Sequence, residues 1–154
     1  MARTTGAVKM RPANIGMKST PKVGTVGEQR FVVEAKHAID FANDQMPPVL
    51  CTPWLIWFLE HAARAAVLPH LEPGESTVGT EIEVQHFAAT PLGHTVVCDA
   101  RVVRAEGSEL WFQLEAHDES ERIAKGFHKL RVIRVDRFAA RVHKKALNRP
   151  GGRV

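Results

Sequence analysis

Thr52-Pro53-Trp54-Leu55-Ile56-Trp57-Phe58-Leu59-Glu60-His61-Ala62-Ala63-Arg64-Ala65-Ala66-Val67-Leu68 is the stretch from which the rest of this 154-residue chain is read. Its apolar residues Leu55, Ile56, Leu59, Ala62, Ala63, Ala66 and Val67 recur at the spacing of one helical stripe. Thr52 suits an N-cap and Pro53 the first helical position, where its missing N–H costs nothing. Leu68-Pro69 ends the helix, and Glu72-Pro73-Gly74-Glu75 turns the chain. Glu60 lies four residues after Ile56 and three before Ala63, which places it beside the apolar stripe rather than on the opposite, watery face.

Downstream, residues 77 to 135 read as four strands. Val78, Thr80, Ile82, Val84, His86 and Ala88 alternate with Glu81, Glu83 and Gln85, so the first strand is expected to turn His86 inward. Pro91-Leu92-Gly93 leads into a second strand with Val96, Cys98, Ala100 and Val102 inward. After Glu106-Gly107-Ser108 the third carries Leu110, Phe112, Leu114 and Ala116, and after Asp118-Glu119-Ser120 the fourth groups Ala124, Gly126, His128, Leu130 and Val132 on one face. Upstream, Arg30-Phe31-Val32-Val33-Glu34 is a strand beginning near Gln29, and a short basic helix with Phe138 and Val142 as anchors is expected at the end. One strand, one long helix and four antiparallel strands make an α+β plan whose sheet must cover its only helix, the hotdog arrangement.

The sequence is 44% hydrophobic and 25% charged, ordinary for one soluble domain. No apolar run approaches the roughly 20 residues of a membrane helix, and the N-terminal residues lack a secretory apolar core. Cys51 and Cys98 have neither disulfide-framework nor zinc-site spacing, so a reducing cytoplasm is the expected compartment. The net charge of +4 is unevenly spread: residues 1–30 and 136–154 each hold six basic and one acidic side chain, and the body between is acidic. An acidic body argues against a nucleic-acid groove, and neither a nucleic acid nor a membrane is expected as partner. The division expected is a flexible basic segment 1–27, one domain 28–147 and a flexible tail 148–154.

Walker, GxGxxG, HExxH and GxSxG patterns are absent from the sequence, and no metal site is expected. Three residues remain around one helix start: Thr52, Glu60 and His86. Separately each has a plain explanation, as a cap, a carboxylate reaching water and a core imidazole. Together they match a chemistry in which helix N-terminal amides hold an oxyanion while a carboxylate and an imidazole handle protons.

Val49 through Glu60, then Leu71-Glu72-Pro73-Gly74-Glu75-Ser76-Thr77-Val78-Gly79-Thr80 and His86, resemble the fluoroacetyl-CoA thioesterase family of hotdog proteins. The likeness continues through Ala116-His117-Asp118, Gly126-Phe127-His128 and Val142-His143-Lys144, over about residues 28 to 145. It implies a catalytic set at Thr52, Glu60 and His86, with Gly79 near the substrate thioester. Two departures stand out. The aromatic-rich lid of the founding enzyme is replaced by the polar Asp40-Phe41-Ala42-Asn43-Asp44-Gln45, and a family arginine by Leu130. The neighbouring Arg131 points to the opposite face of its strand.

The expectation is a homodimeric acyl-CoA thioesterase for small acyl groups, with no cofactor beyond the coenzyme A of its substrate. The amides of Trp54 and Leu55 are the expected oxyanion donors, since Pro53 has none. Whether Glu60, Thr52 or water attacks is left open by the sequence. Thr52 and Glu60 are eight residues, about 12 Å, apart along one helix, so cooperation on one thioester calls for a site shared between two chains. Trp54, Trp57 and Phe58 are expected to shorten the acyl pocket or to pack at an interface. A hotdog hydratase would need an aspartate shortly before His86, which is missing; a non-catalytic acyl-CoA binding or sensing domain would not need all three polar residues.

Overall fold

The computed structural model describes residues 16–41 and 45–150. Its elements are β1 (Val26–Val32), a 3-10 turn (Ala35–His37), α1 (Thr52–Val67), a second 3-10 turn (Leu68–His70), β2 (Glu75–His86), β3 (Thr95–Glu106), β4 (Glu109–His117), β5 (Arg122–Arg134) and α2 (Val135–Leu147). The five strands form one antiparallel sheet in the order β1-β3-β4-β5-β2. This sheet curls around α1, whose contacts reach all five strands.

The core follows from the alternation. Val96, Cys98, Ala100 and Val102 of β3 and Leu110, Phe112, Leu114 and Ala116 of β4 are fully buried against the helix. Helix α1 buries Leu55, Phe58, Leu59, Ala62, Ala63, Ala66 and Val67. Phe58 rather than Ile56 completes the stripe because its ring stacks on Phe31 of β1 at 3.5 Å, in a cluster with His37 and Trp54. At the other end of the same contact Gly27 lets β1 touch the helix backbone, for a Cβ there would overlap the carbonyl oxygen of Ala62.

Four local differences separate the fold from its sequence reading. Strand β1 starts at Val26, and Gly24 donates its amide to the Val102 carbonyl at 2.7 Å. Lys18 bonds the His70 carbonyl at 2.8 Å, and Met17 packs on the core. Residues 16–27 therefore dock on the domain, held by backbone bonds that leave no mark in composition; the flexibility expected for 1–15 and 151–154 concerns positions outside the described residues. Second, the helix begins at Thr52 itself, with Cys51 as N-cap. Third, a bulge at Thr80 shifts the β2–β5 register between Gly79 and Glu81. Before it Thr77 and Gly79 oppose the inward Val132 and Leu130, and after it Ile82, Val84 and His86 oppose His128, Gly126 and Ala124. Strict alternation had put Val78 and Thr80 inward; the extra residue reverses that half of the strand. Fourth, Phe138 and Val142 of α2 do not act as buried anchors, being 39% and 51% exposed.

Candidate active site

Two clusters of polar side chains lie at opposite ends of the α1–β2 contact. The first is at the helix start. Thr52 makes no capping bond; its Oγ1 lies 2.9 Å from Nδ1 of His86, the last residue of β2. The expected cap role of Thr52 is thus corrected: Cys51, extended at φ −80° and ψ 150°, stands at the N-cap, which frees the threonine hydroxyl for the imidazole. Its carbonyl accepts from Leu55 N–H at 3.2 Å. That bond also corrects the assignment of Leu55 as an oxyanion donor, since its amide is already spent within the helix. Trp54, one residue earlier in the first turn, has no bond of its amide to backbone outside the helix among the described residues. Its half-buried indole packs edge-on to His37 and Trp57.

Nε2 of His86 is buried and has no hydrogen-bond partner among the described residues. Burial holds the imidazole pKa below its ordinary value, with the Ala88 backbone opposing, so the ring is neutral near pH 7. One of its nitrogens then carries a proton and the other does not.

The second cluster forms where Glu60, two turns further along α1, meets the first half of β2. A Cβ on Gly79 would lie 2.9 Å from Glu60 Oε1 and 3.1 Å from His128 Cε1. Only glycine at this position leaves the carboxylate and the imidazole facing shared open space. Glu60, Gly79, Thr80, Glu81, Ile82 and His128 line a cleft of about 280 Å³. A larger hollow of about 410 Å³ sits on the outer face of the sheet between Glu83, Gln113, Arg122 and Phe127, away from both clusters.

His128 is the site residue that sequence reasoning left among the apolar positions of β5. It is 4% exposed, and the signal available was its own place on an otherwise apolar inward face. Nδ1 lies 2.8 Å from the Glu81 carbonyl oxygen, which can only accept, so Nδ1 carries the proton. Nε2 is consequently a bare acceptor, buried and without a partner among the described residues. Burial lowers the pKa of this ring, while the Glu81 backbone bond and then the Glu60 charge work to raise it.

The structure therefore brings Thr52 to His86 and Glu60 to Gly79, and leaves the two pairs apart within one chain. No cysteine competes as nucleophile: the buried Cys98 thiol is pushed up to about 12, by burial and then by Asp99, and Cys51 has no bond to either cluster. Among the described residues no group of three or more His, Cys, Asp or Glu side chains is placed to hold a metal ion. No helix among them is long and apolar enough to cross a membrane.

A sheet curled around one helix, with a hydroxyl–imidazole pair at the helix start and a carboxylate on its flank, defines a hotdog protein of the thioesterase class. Residues 32–136 match the family model described as fluoroacetyl-CoA-specific thioesterase. The fluoroacetyl-CoA thioesterase of Streptantibioticus cattleyicolor is 36% identical over 137 residues, 84% of this chain and 97% of that protein. A solved structure of a fluoroacetyl-CoA thioesterase superposes with a TM-score of 0.75 at 35% identity, covering 80% of this chain and 96% of the other. A thioesterase superfamily member from Thermus thermophilus gives 0.77 at 26% identity, covering 82% and 94%. The chain belongs to the fluoroacetyl-CoA-specific thioesterase family.

Proposed function

We propose that this protein hydrolyses a small acyl-CoA thioester at a site completed by two copies of the chain, Thr52 and His86 from one and Glu60 and Gly79 from the other. The observation that carries the reading is the division just described: a hydroxyl–imidazole pair with a buried free Nε2 at one end, and a carboxylate beside open space at the other. Among the described residues strand β2 is an edge of the sheet, bonded to β5 alone, and its Ile82 is 38% exposed. An unpaired edge is a template for another strand. Antiparallel pairing of two β2 edges about a twofold axis at Glu83, with Thr80 set aside as the bulged residue, puts Ile82 opposite Val84 and His86 of each copy opposite Gly79 of the other, all on the inward face. The same pairing would bring one chain's Glu60 to the other chain's Thr52.

In the proposed reaction Glu60 takes a proton from water as the water oxygen bonds to the thioester carbonyl carbon. With Thr52 O–H donating to Nδ1, His86 presents Nε2–H as a buried donor; together with the Trp54 amide it meets the charge on the carbonyl oxygen. Collapse re-forms the carbonyl and breaks the C–S bond, and the proton on Glu60 passes to the leaving sulfur. The products are the free acid and coenzyme A thiol. The carboxylate is given the base role because Gly79 leaves space beside Oε1. Solved relatives support the substrate class, one of them a variant fluoroacetyl-CoA thioesterase in complex with acetyl-CoA.

The polar Asp40–Gln45 stretch and Leu130 in place of the family's arginine make an unfluorinated acyl group the better candidate; residues 42–44 lie outside the described set. Trp57, 45% exposed, and the half-buried Trp54 stand near the helix start and suit short acyl chains. A panel from acetyl- to palmitoyl-CoA, read by release of free thiol, should give the highest kcat/KM for short acyl groups. Thr52→Ala and Glu60→Gln proteins, mixed under conditions that exchange subunits, should turn over faster than the mean of the two separate proteins, because the mixed dimer holds one intact site. Exchange without that gain would place both groups in the same chain's site.

A further inference from the structure

His128 is not explained by packing alone. A buried acceptor left without a donor is unfavourable relative to one that is paired, and an apolar side chain would fill the same inward position of β5 without that cost. The ring is held in one tautomer by the Glu81 carbonyl, 2.8 Å from Nδ1, and so presents an acceptor and nothing else at Nε2. Its neighbours on the inward face are Ile82 of β2, Phe112 of β4, and Gly126 and Leu130 of its own strand, none of which can donate. From α1, Glu60 is the charged side chain that faces it among the described residues, across the space that Gly79 leaves open. Lys129, next in sequence, is on the other face and bonded to Glu109 at 3.1 Å.

A carboxylate and a bare imidazole nitrogen do not attract one another, and Glu60 and His128 border the space beside Gly79 with no ion pair or hydrogen bond between them. A carboxylic acid does what the carboxylate cannot. We propose that His128 is a positioning residue for Glu60, its Nε2 accepting a hydrogen bond from the Glu60 carboxyl group in the interval when that group holds the proton of the attacking water. The proton stays on Glu60 throughout and leaves for the departing sulfur; His128 begins and ends neutral and forms no covalent bond. Its effect is to hold the protonated carboxyl in one orientation until the proton leaves for sulfur. This inference rests on the reading of Glu60 as the base of thioester hydrolysis.

Two substitutions separate this role from a structural one. Asparagine in His128→Asn places an amide N–H near the position of Nδ1 and keeps the bond to Glu81, but supplies nothing at Nε2. Glutamine in His128→Gln reaches further and can set its amide oxygen near Nε2. For a positioning role, His128→Asn should lose kcat about tenfold or more with KM little changed, and the acid limb of its kcat–pH profile should move to lower pH, because the acid form of Glu60 has lost its acceptor. His128→Gln should recover several-fold of the rate and return the limb toward the wild-type position. For a role confined to holding β2, the order of the two variants is reversed and the limb does not move, which would overturn the proposal.

An independent readout needs no turnover and no folded variant of His128. In ¹⁵N-histidine-labelled wild-type protein, the Nε2 resonance should be that of an unprotonated ring nitrogen and should shift as Glu60 titrates, and in Glu60→Gln that shift should be gone. If no acyl-CoA is hydrolysed yet Nε2 reports Glu60, the thioesterase reading falls and the pairing stands. If hydrolysis requires Glu60 but Nε2 is insensitive to it, the pairing is refuted and the thioesterase reading stands.

Discussion

Two histidines, His86 and His128, end in the same state by one measure: each has a buried Nε2 without a partner among the described residues. Their chemistry differs because their other nitrogens meet different groups. Nδ1 of His128 faces a backbone carbonyl, which fixes it as a donor and Nε2 as an acceptor. Nδ1 of His86 faces the Thr52 hydroxyl, which can give or take a proton, so the character of its Nε2 follows the rotation of one O–H bond. The Thr52 end is thus adjustable and suited to a changing substrate, whereas the Glu60 end is built around a fixed acceptor. A backbone carbonyl fixes the tautomer of His128, whereas at His86 the Thr52 hydroxyl and the Ala88 backbone both act on the ring.

The largest expected effect falls at the carboxylate. Glu60→Gln should lower kcat by about a hundredfold or more, the scale of losing a positioned base, while its thermal melt stays close to wild type. Retention of activity in this near-isosteric variant would remove the chemical distinction between the two clusters. A smaller loss, about ten- to hundredfold, is expected for Gly79→Ala, because the added methyl must push the flexible Glu60 carboxylate from its place. Its stability should fall modestly, because the Glu60 carboxylate can swing aside but the buried His128 ring, 3.1 Å from the added methyl, must give as well. Unchanged kcat with a displaced carboxylate would show that the position of Glu60 is not critical.

At the other cluster, Thr52→Ala and Thr52→Ser probe the adjustable hydroxyl. The serine variant should keep most of the rate, and the alanine variant should lose about tenfold, on the scale of one hydrogen bond to a catalytic ring. Neither should show the full cost of a lost helix cap, because Thr52 caps nothing. Equal rates for the two variants would show that Nδ1 of His86 needs no partner.

The smallest effect compares the two histidines in stability. Burial lowers the pKa of both rings in the folded protein, while the unfolded chain takes up its protons at about 6.5. Above that pH neither state is protonated and the rings contribute no pH dependence. Below it the unfolded state binds more protons, so acid weakens the fold. A Tm lower by a few degrees at pH 5.5 than at pH 7.5 is expected, and His128→Asn should remove a larger part of that drop than His86→Asn because His128 is the more buried. A larger part removed by His86→Asn would reverse the ranking.

Much of the architecture was legible in periodicity. The inward faces of β3 as far as Val102 and of β4 from Leu110 to Ala116 followed two-residue alternation, and the span of α1 followed its apolar stripe, because in both cases one face is wholly buried and each misplaced side chain would be penalised. The edge strand β2 was less legible. Half of it is exposed, so burial constrains its pattern weakly, and the bulge at Thr80 passed unseen among residues that still alternated polar and apolar. Phe58 was likewise missed as core because the helix is covered on more than one side.

The sequence by itself determined the curled sheet around one helix and nominated Thr52, Glu60 and His86, since these rest on local periodicity along the chain, while Gly79 was nominated through the family resemblance. Tertiary structure alone decided which of them meet. It paired Thr52 with His86 across 34 residues, spent the Leu55 amide on Cys51, turned Gly79 inward through a bulge, and set His128 beside Glu60 from a strand 68 positions further on. Such meetings depend on register and on the close approach of β2 to α1, and a shift of one residue in register reverses the face of every side chain that follows.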